Sequence, residues 1–183
     1  MSRTPDWPKP RDVLEYFDES LEIIESIPAA FPAGVPASSR YRDVSVEDVR
    51  IIAGKLKTEL ELQCVMSLAA SIEATFQVDL RTRVRNRLNN DASNRLRRLW
   101  KQTRTMRRRI EFEQILEAWK KSIAGITRAT GSLKQVLEFR HWIAHGRYWQ
   151  QKSGLANLGP LEVWSRWEDV RDRIASVTEF PLE

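Results

Sequence analysis

Apolar residues recur every three or four positions along most of this chain, and that spacing constrains the fold more than any other feature. The longest pattern runs from about Val46 to Leu88. An apolar helical face of that length has to pack against other helices, because burial of its side chains stabilises the fold. No segment alternates apolar and polar residues as a strand does. The sequence therefore predicts an all-α, single-domain bundle of about five to seven helices over residues 1–183.

Prolines and short polar side chains mark the predicted ends of the first helices. A helix is expected to follow Pro10 and to end at Pro28, and residues 28–44 are expected to form an irregular connector. Ser45 and Asp48 then form a capping signal at the start of the long helix. Its apolar stripe comprises Leu62, Val65, Met66, Ala69, Ile72, Phe76, Leu80, Val84 and Leu88.

Two further helices are predicted after the long one. Residues 89–91 break the long pattern, and Ser93 or Asp91 is expected to cap the next helix. That helix carries Leu96, Leu99, Trp100, Met106 and Ile110 along one side, and a second stripe follows with Phe112, Ile115, Leu116, Trp119 and Ile123.

The last part of the chain contains two further predicted helices. Gly125 and Gly131 are expected to bracket a connection, after which Ser132 caps a helix that ends at Gly146. Residues 150–160 are expected to form a loop before the last helix.

The charge of the chain favours an anionic partner. It has 22 Arg and 8 Lys against 25 acids, a net charge of +5 and a pI near 9.6. A guanidinium group binds phosphate oxygens at two points, so the excess of arginine over lysine indicates nucleic acid. No stretch is apolar enough to cross a membrane or to act as a signal peptide, so a cytoplasmic location is expected.

The only two histidines, His141 and His145, lie one helical turn apart and directly follow Arg140. A spacing of four places both imidazoles on one stripe. They are expected at the edge of the packed face, where a partner or substrate could reach them. Arg140 and His145 are about 140° apart on an ideal helix. They can meet only through the long arginine side chain or where the helix unwinds at Gly146.

The segment Glu138-Phe-Arg-His-Trp-Ile-Ala-His-Gly146 resembles the motif of the HEPN family, helical domains that include many ribonucleases and toxins. That motif is an arginine, a polar residue and then a histidine, with four to six residues between Arg and His at the end of a helix. Within the family the chain resembles the RiboL-PSP-type proteins. One toxin branch has a tyrosine two residues after the histidine, whereas here Arg147 holds that position and Tyr148 follows.

The resemblance implies a metal-independent endoribonuclease with Arg140, His145 and His141 in its active site. It also implies a homodimer that brings two motifs together, a toxin or defence role and an antitoxin or other neutralising partner. The chemistry is consistent with these residue types, because RNA cleavage needs a base for the 2′-hydroxyl, an acid for the departing 5′-oxygen and positive charge at phosphorus. No metal or nucleotide cofactor is predicted, since the zinc-ligand spacings and glycine-rich loops are missing.

Arginines are concentrated between residues 81 and 109, where Asp91 is the single acid. The segment contains Arg81, Arg83, Arg85, Arg87, Arg95, Arg97, Arg98, Arg104, Arg107, Arg108 and Arg109, together with Lys101. This density is costly unless an anion relieves it, which favours an RNA-phosphate funnel, although a solvated helix face is the alternative. The residues expected to bind RNA are Arg81, Arg85, Arg97, Arg98, Arg104 and Arg108, with Arg147 and Tyr148 just past the motif.

Two isolated residues complete the sequence-based predictions. Glu73 lies on the apolar centre of the long helix, where it either faces solvent or pairs with a cation such as Arg140. Cys64 has apolar neighbours and is expected to be a buried structural thiol, with a catalytic cysteine as the alternative. Two other classes stay open for the whole chain: a non-catalytic module that binds RNA or protein, and a structural protein in which Arg140 and His145 serve only a dimer interface.

Overall fold

Six α-helices make up the fold in a computed structural model that describes residues 8–30, 44–145, 158–178 and residue 182. In chain order they are α1 (Pro10–Ala30), α2 (Val46–Arg85), α3 (Asp91–Thr105), α4 (Phe112–Lys120), α5 (Thr127–Ala144) and α6 (Pro160–Ala175). No strand occurs in these ranges, and the predicted all-α bundle is confirmed.

The 40-residue helix α2 is the axis of the bundle. At 1.5 Å per residue it is about 60 Å long. The middle of its predicted apolar stripe is buried in one core to which all six helices contribute, whereas the last member, Leu88, lies beyond the end of α2. The buried residues of the stripe are Val65, Ala69, Ile72, Phe76 and Leu80. Phe76 packs its ring on Phe112 of α4 and Trp167 of α6, at centroid distances of 5.1 and 5.7 Å.

The ends of the first two helices differ in how well the sequence predicted them. Ser45 caps α2 as expected, because its hydroxyl accepts a hydrogen bond from the backbone N–H of Asp48 at 3.1 Å. The prediction that Pro28 ends α1 is wrong, and the helix continues to Ala30. A proline in the last turn removes only one backbone hydrogen bond close to the helix end, so it does not stop the helix there. Residues 31–43 of the predicted connector lie outside the described residues.

The cap and the end of α3 both differ from the prediction. Asn90 is the N-cap rather than Ser93 or Asp91, and its side-chain oxygen accepts from the backbone N–H of Ser93 at 2.8 Å. The Ser93 side chain is instead buried in the core. The helix ends at Thr105, so Met106 and Ile110 of the predicted stripe lie beyond it.

Helix α5 begins earlier than predicted. Gly125 marks the preceding turn, with φ of +80°, but Gly131 and Ser132 lie inside the helix rather than at its start. Ala129 and Thr130 are buried, and this burial holds the first turn helical without a side-chain cap. The predicted loop before α6 ends one residue early, since Pro160 is the first residue of that helix and Gly159 its N-cap.

Both α2 and α3 end with an arginine in the left-handed backbone conformation. Arg87 has φ of 51° and Arg107 has φ of 53°. In each case the backbone N–H of the following residue donates to a carbonyl five residues earlier. The Leu88 N–H donates to the Arg83 carbonyl at 3.3 Å, and the Arg108 N–H donates to the Thr103 carbonyl at 3.1 Å. This is the Schellman motif, in which glycine usually occupies the left-handed position.

Arg83 does not belong to the surface, which corrects its inclusion in the predicted phosphate funnel. Its side chain is fully buried, and its Nε donates to both carboxylate oxygens of Asp79 at 2.7 and 2.8 Å. Its Nη1 lies 3.3 Å from the hydroxyls of Ser93 and Thr178, and its guanidinium carbon lies 4.7 Å from the centre of the Trp119 ring. One arginine of α2 therefore links α3, α4 and the segment after α6.

The helices were also compared with the requirements of a membrane span. Within the described ranges, none combines the length and the apolar character that crossing a bilayer requires.

The first prediction concerns the Arg83–Asp79 pair. Arg83→Met should lower the free energy of unfolding by about 3–5 kcal/mol, because it leaves the Asp79 carboxylate buried without its cation. The double variant Asp79→Leu/Arg83→Met should recover most of that loss, since neither charge remains. Arg81→Met, two residues away on the exposed side, should change stability by no more than about 0.5 kcal/mol. Urea denaturation measures all three, and an Arg83→Met variant as stable as Arg81→Met would contradict the structural role.

The second prediction concerns pH. Burial raises the pKa of Asp79 from 3.8 to about 6, although the Arg83 guanidinium opposes the rise. Between pH 4 and 6 the folded protein therefore holds a proton that the unfolded chain has lost, so this group's contribution to stability falls as the pH rises. Asp79→Asn cannot titrate. When the pH is lowered from 7 to 4.5, we expect wild type to gain about 1–3 kcal/mol of stability relative to Asp79→Asn. An equal difference at both values would contradict the raised pKa.

Candidate active site

Arg140 and Glu73 join α5 to α2 at the edge of the core. Arg140 Nη1 donates to Glu73 Oε2 at 2.8 Å, and their side chains are 37% and 34% exposed. The neighbouring Phe139 and Ile72 are buried, so packing of the two helices places the charged pair at the rim. Of the two alternatives that the sequence left open for Glu73, the structure shows the pair with Arg140. An ion pair this exposed stabilises a fold by about 1 kcal/mol or less, so either residue can be changed without unfolding the protein.

His141 and His145 lie together on the exposed side of the same helical turn. Their ring centroids are 4.1 Å apart and the ring planes are inclined at 58°. This confirms that the two imidazoles share one stripe, and both residues are exposed as predicted. His145 is the C-cap of α5, and its backbone N–H donates to the His141 carbonyl at 3.1 Å. Gly146, the predicted end of this helix, lies outside the described residues.

The opposite side of that turn is apolar and fixes the helix. Phe139 is buried, and its ring stacks on Trp142 with a centroid distance of 5.6 Å and an angle of 17°. The last turn of α5 therefore has one side in the core and one side that exposes imidazoles, with Arg140 between them at the rim.

Glu73 also lines a groove between α2 and the segment from α3 to α4. The groove has a volume of about 580 Å³. One wall is a row of α2 residues four apart, and the other comes from α3 and the turn that follows it. The lining consists of Glu73, Gln77 and Arg81 on α2, Trp100, Thr103 and Arg104 on α3, and Arg107, Arg108, Arg109, Ile110 and Glu111 beyond it.

The predicted RNA-binding arginines separate into different surfaces. Arg81, Arg104 and Arg108 line the groove beside Glu73. Arg97 and Arg98 lie on another recess, with Asp91, Asn94 and Lys101. Arg85 is exposed near the end of α2 and lines neither surface. The predicted RNA-binding arginines of α3 therefore line two recesses, and the RNA-phosphate funnel stays a prediction. Arg147 and Tyr148 lie outside the described residues.

Several groove residues were not identified from the sequence. Gln77 Nε2 donates to the Ile110 carbonyl at 3.0 Å and so fixes the turn after α3 against α2. The available signal was the spacing of Glu73, Gln77 and Arg81, three polar residues four apart on one side of α2. Trp100 and Thr103 gave no such signal, since an aromatic or β-branched residue on a helix is more often a core residue.

Other kinds of site were sought among the described residues. No group of three or more His, Cys, Asp or Glu residues there is arranged to hold a metal ion. Cys64 is buried, and desolvation raises the pKa of its thiol to about 12. The predicted structural thiol is confirmed, and a protonated buried thiol does not support the catalytic alternative.

Comparison with protein-family models, with curated protein sequences and with solved structures finds no match for this chain.

Proposed function

We propose that this protein is a metal-independent endoribonuclease of HEPN type. The observation that carries the proposal is the exposed pair His141 and His145, 4.1 Å apart, on the same helical turn as Arg140. Arg140 in turn bonds to Glu73, which lines a groove with five arginines. Residue types suited to proton transfer are thus linked, through Arg140 and Glu73, to a groove lined by arginines.

The proposed reaction uses each of these residues. A neutral imidazole removes the proton of an RNA 2′-hydroxyl, and the oxygen attacks the adjacent phosphorus. Arg140 stabilises the charge that develops on the phosphorane oxygens. A protonated imidazole gives its proton to the departing 5′-oxygen, so the products are a 2′,3′-cyclic phosphate and a 5′-hydroxyl. His145 is the principal acid or base, and His141 supports it.

The geometry of one copy favours a site shared by two copies. The attacking and departing oxygens lie on opposite sides of the phosphorus, and the base and the acid must each come within hydrogen-bonding distance of one of them. Two rings whose centroids are 4.1 Å apart leave no room for a phosphate group between them. We therefore propose a homodimer in which His145 and Arg140 of both copies face one phosphodiester.

The proposed biological role follows from the activity. A nuclease that cuts RNA without selecting its sequence harms the cell that makes it unless it is silenced. We therefore propose a cytoplasmic toxin or defence effector that is held in check by an antitoxin or another neutralising partner.

A non-catalytic RNA-binding module is the second candidate, and the arginine groove favours it. Such a module would bind RNA through the groove and would not need the histidines. Two measurements identify the module. It binds RNA without cutting it, and a change at His145 leaves the affinity of the protein for RNA unchanged.

The third prediction tests catalysis. Arg140→Ala and His145→Ala should each lower the rate of RNA cleavage by at least about 100-fold, because each removes a group that stabilises the transition state. Arg128→Ala is the matched control, since Arg128 is an exposed arginine near the other end of α5. Cleavage of labelled single-stranded RNA and thermal denaturation should be measured together for all three variants.

Retained cleavage in both folded variants would refute the proposed active site. A loss of cleavage in Arg128→Ala equal to that in Arg140→Ala would show that a general loss of positive charge, and not a catalytic role of Arg140, explains the effect.

A further inference from the structure

The arginines of the groove are arranged differently from those elsewhere in the fold. Arg81, Arg104, Arg107, Arg108 and Arg109 are all exposed, and none forms an ion pair with the described part of the chain. Besides the buried Arg83, six arginines elsewhere each pair with a carboxylate three or four residues away along their own helix. They are Arg11, Arg50, Arg95, Arg166, Arg171 and Arg173.

The acids of the groove do not neutralise these arginines. Glu73 accepts from Arg140 at 2.8 Å. Glu111 caps α4 in a capping box, in which its side chain accepts from the helix backbone and its own N–H donates to Gln114 at 2.9 Å. Five arginines therefore line one recess while both carboxylates of its lining are engaged elsewhere. Mutual repulsion makes this arrangement costly unless an anion binds there.

The backbone at Arg107 is strained for a residue that carries a side chain. Its φ of 53° belongs to the left-handed region, which suits glycine and strains a residue with a side chain. Glycine would relieve that strain, and it would remove the guanidinium from the groove. Arg87 has the same backbone geometry at the end of α2 but does not line the groove, so the two positions form a natural pair for comparison.

The shape and chemistry of the groove fit one strand of RNA better than a duplex. A recess of about 580 Å³ between two helices admits a single chain of nucleotides. A duplex is recognised instead across its wide minor groove by a surface that spans many base pairs. Proteins that hold single strands combine a positive groove with aromatic side chains on which bases stack. Trp100, half-buried in the groove wall, provides such a surface.

We propose that this groove binds a single-stranded segment of RNA by its phosphates, with Trp100 as the stacking surface. The proposal rests on the proposed nuclease function in one respect: Glu73 belongs to the groove and is hydrogen-bonded to Arg140, so the bound strand extends toward the candidate active site. Unpaired RNA is then the substrate class, and Arg97 and Arg98, on the other recess, do not contact the strand.

The fourth prediction compares matched pairs of arginines in the full-length protein carrying His145→Ala, which prevents cleavage during the measurement. Arg104→Gln/Arg107→Gly should weaken binding of a fluorescent oligouridylate at least tenfold. It should also reduce the slope of log affinity against log salt by roughly 1.4, because two phosphate contacts are lost at about 0.7 each. Arg87→Gly/Arg98→Gln removes the same charge and relieves the same kind of backbone strain, and it should bind within about twofold of the parent.

An RNA duplex of equal length should bind at least tenfold more weakly than oligouridylate.

Three results would overturn the assignment of the groove: equal weakening by both double variants, binding of the duplex as tight as that of the single strand, or no binding of oligouridylate at low salt. These experiments also distinguish failure of the groove assignment from failure of the nuclease proposal. If wild type cuts RNA and His145→Ala does not, while the groove variants bind normally, only the groove assignment is wrong. If the groove variants lose binding but wild type cuts no RNA, the groove assignment stands and the nuclease proposal is wrong.

Discussion

The buried ion pair between Arg83 and Asp79 is the interaction on which the arrangement of the helices depends. A guanidinium group enclosed by protein must have every donor near an acceptor or an aromatic face. Arg83 meets that requirement with Asp79 on its own helix, Ser93 on α3, Trp119 on α4 and Thr178 after α6. Elements distant in sequence are thus held around one side chain, and the direction in which α3 leaves the end of α2 is fixed.

That direction determines what the other arginines of the segment can do. Helix α3 leaves α2 after the left-handed turn at Arg87 and runs beside it, so one of its sides faces α2 across a groove and another faces away. Arg104 and the residues after α3 face Arg81 across the groove, whereas Arg97 and Arg98 lie on a separate recess. The arginine-rich segment therefore contains one buried arginine, a group of arginines that lines the groove and a second group that lies on a separate recess.

The features that sequence could predict were those governed by local spacing. The apolar stripe of α2, the Ser45 cap and the shared stripe of His141 and His145 each depend on residues within one or two helical turns, and all three are confirmed. The pairing of Glu73 with Arg140 was one of two alternatives that the sequence left open, because a carboxylate among apolar residues either faces solvent or needs a cation.

The features that sequence could not predict depend on contacts between distant segments. The burial of Arg83 depends on its contacts with Ser93, Trp119 and Thr178, and the one local signal that distinguished it from Arg81 and Arg85 was Asp79, four residues earlier. The early start of α5 depends on the core that receives Ala129 and Thr130, and the local glycine and serine signals indicated a later start. The division of the arginines between two surfaces likewise requires the angle between α2 and α3, which no local pattern contains.

The chemical identity of the RNA ends that the protein produces tests the central claim most directly. Single-stranded RNA should be incubated with the protein in excess EDTA, and the termini of the fragments should be analysed by mass spectrometry. Attack by the 2′-hydroxyl with histidine as base and acid predicts 2′,3′-cyclic phosphate and 5′-hydroxyl ends. It also predicts cleavage that continues in the chelator and stops at a position carrying a 2′-deoxy sugar. Fragments with 3′-hydroxyl and 5′-phosphate ends, or cleavage that the chelator abolishes, would contradict it.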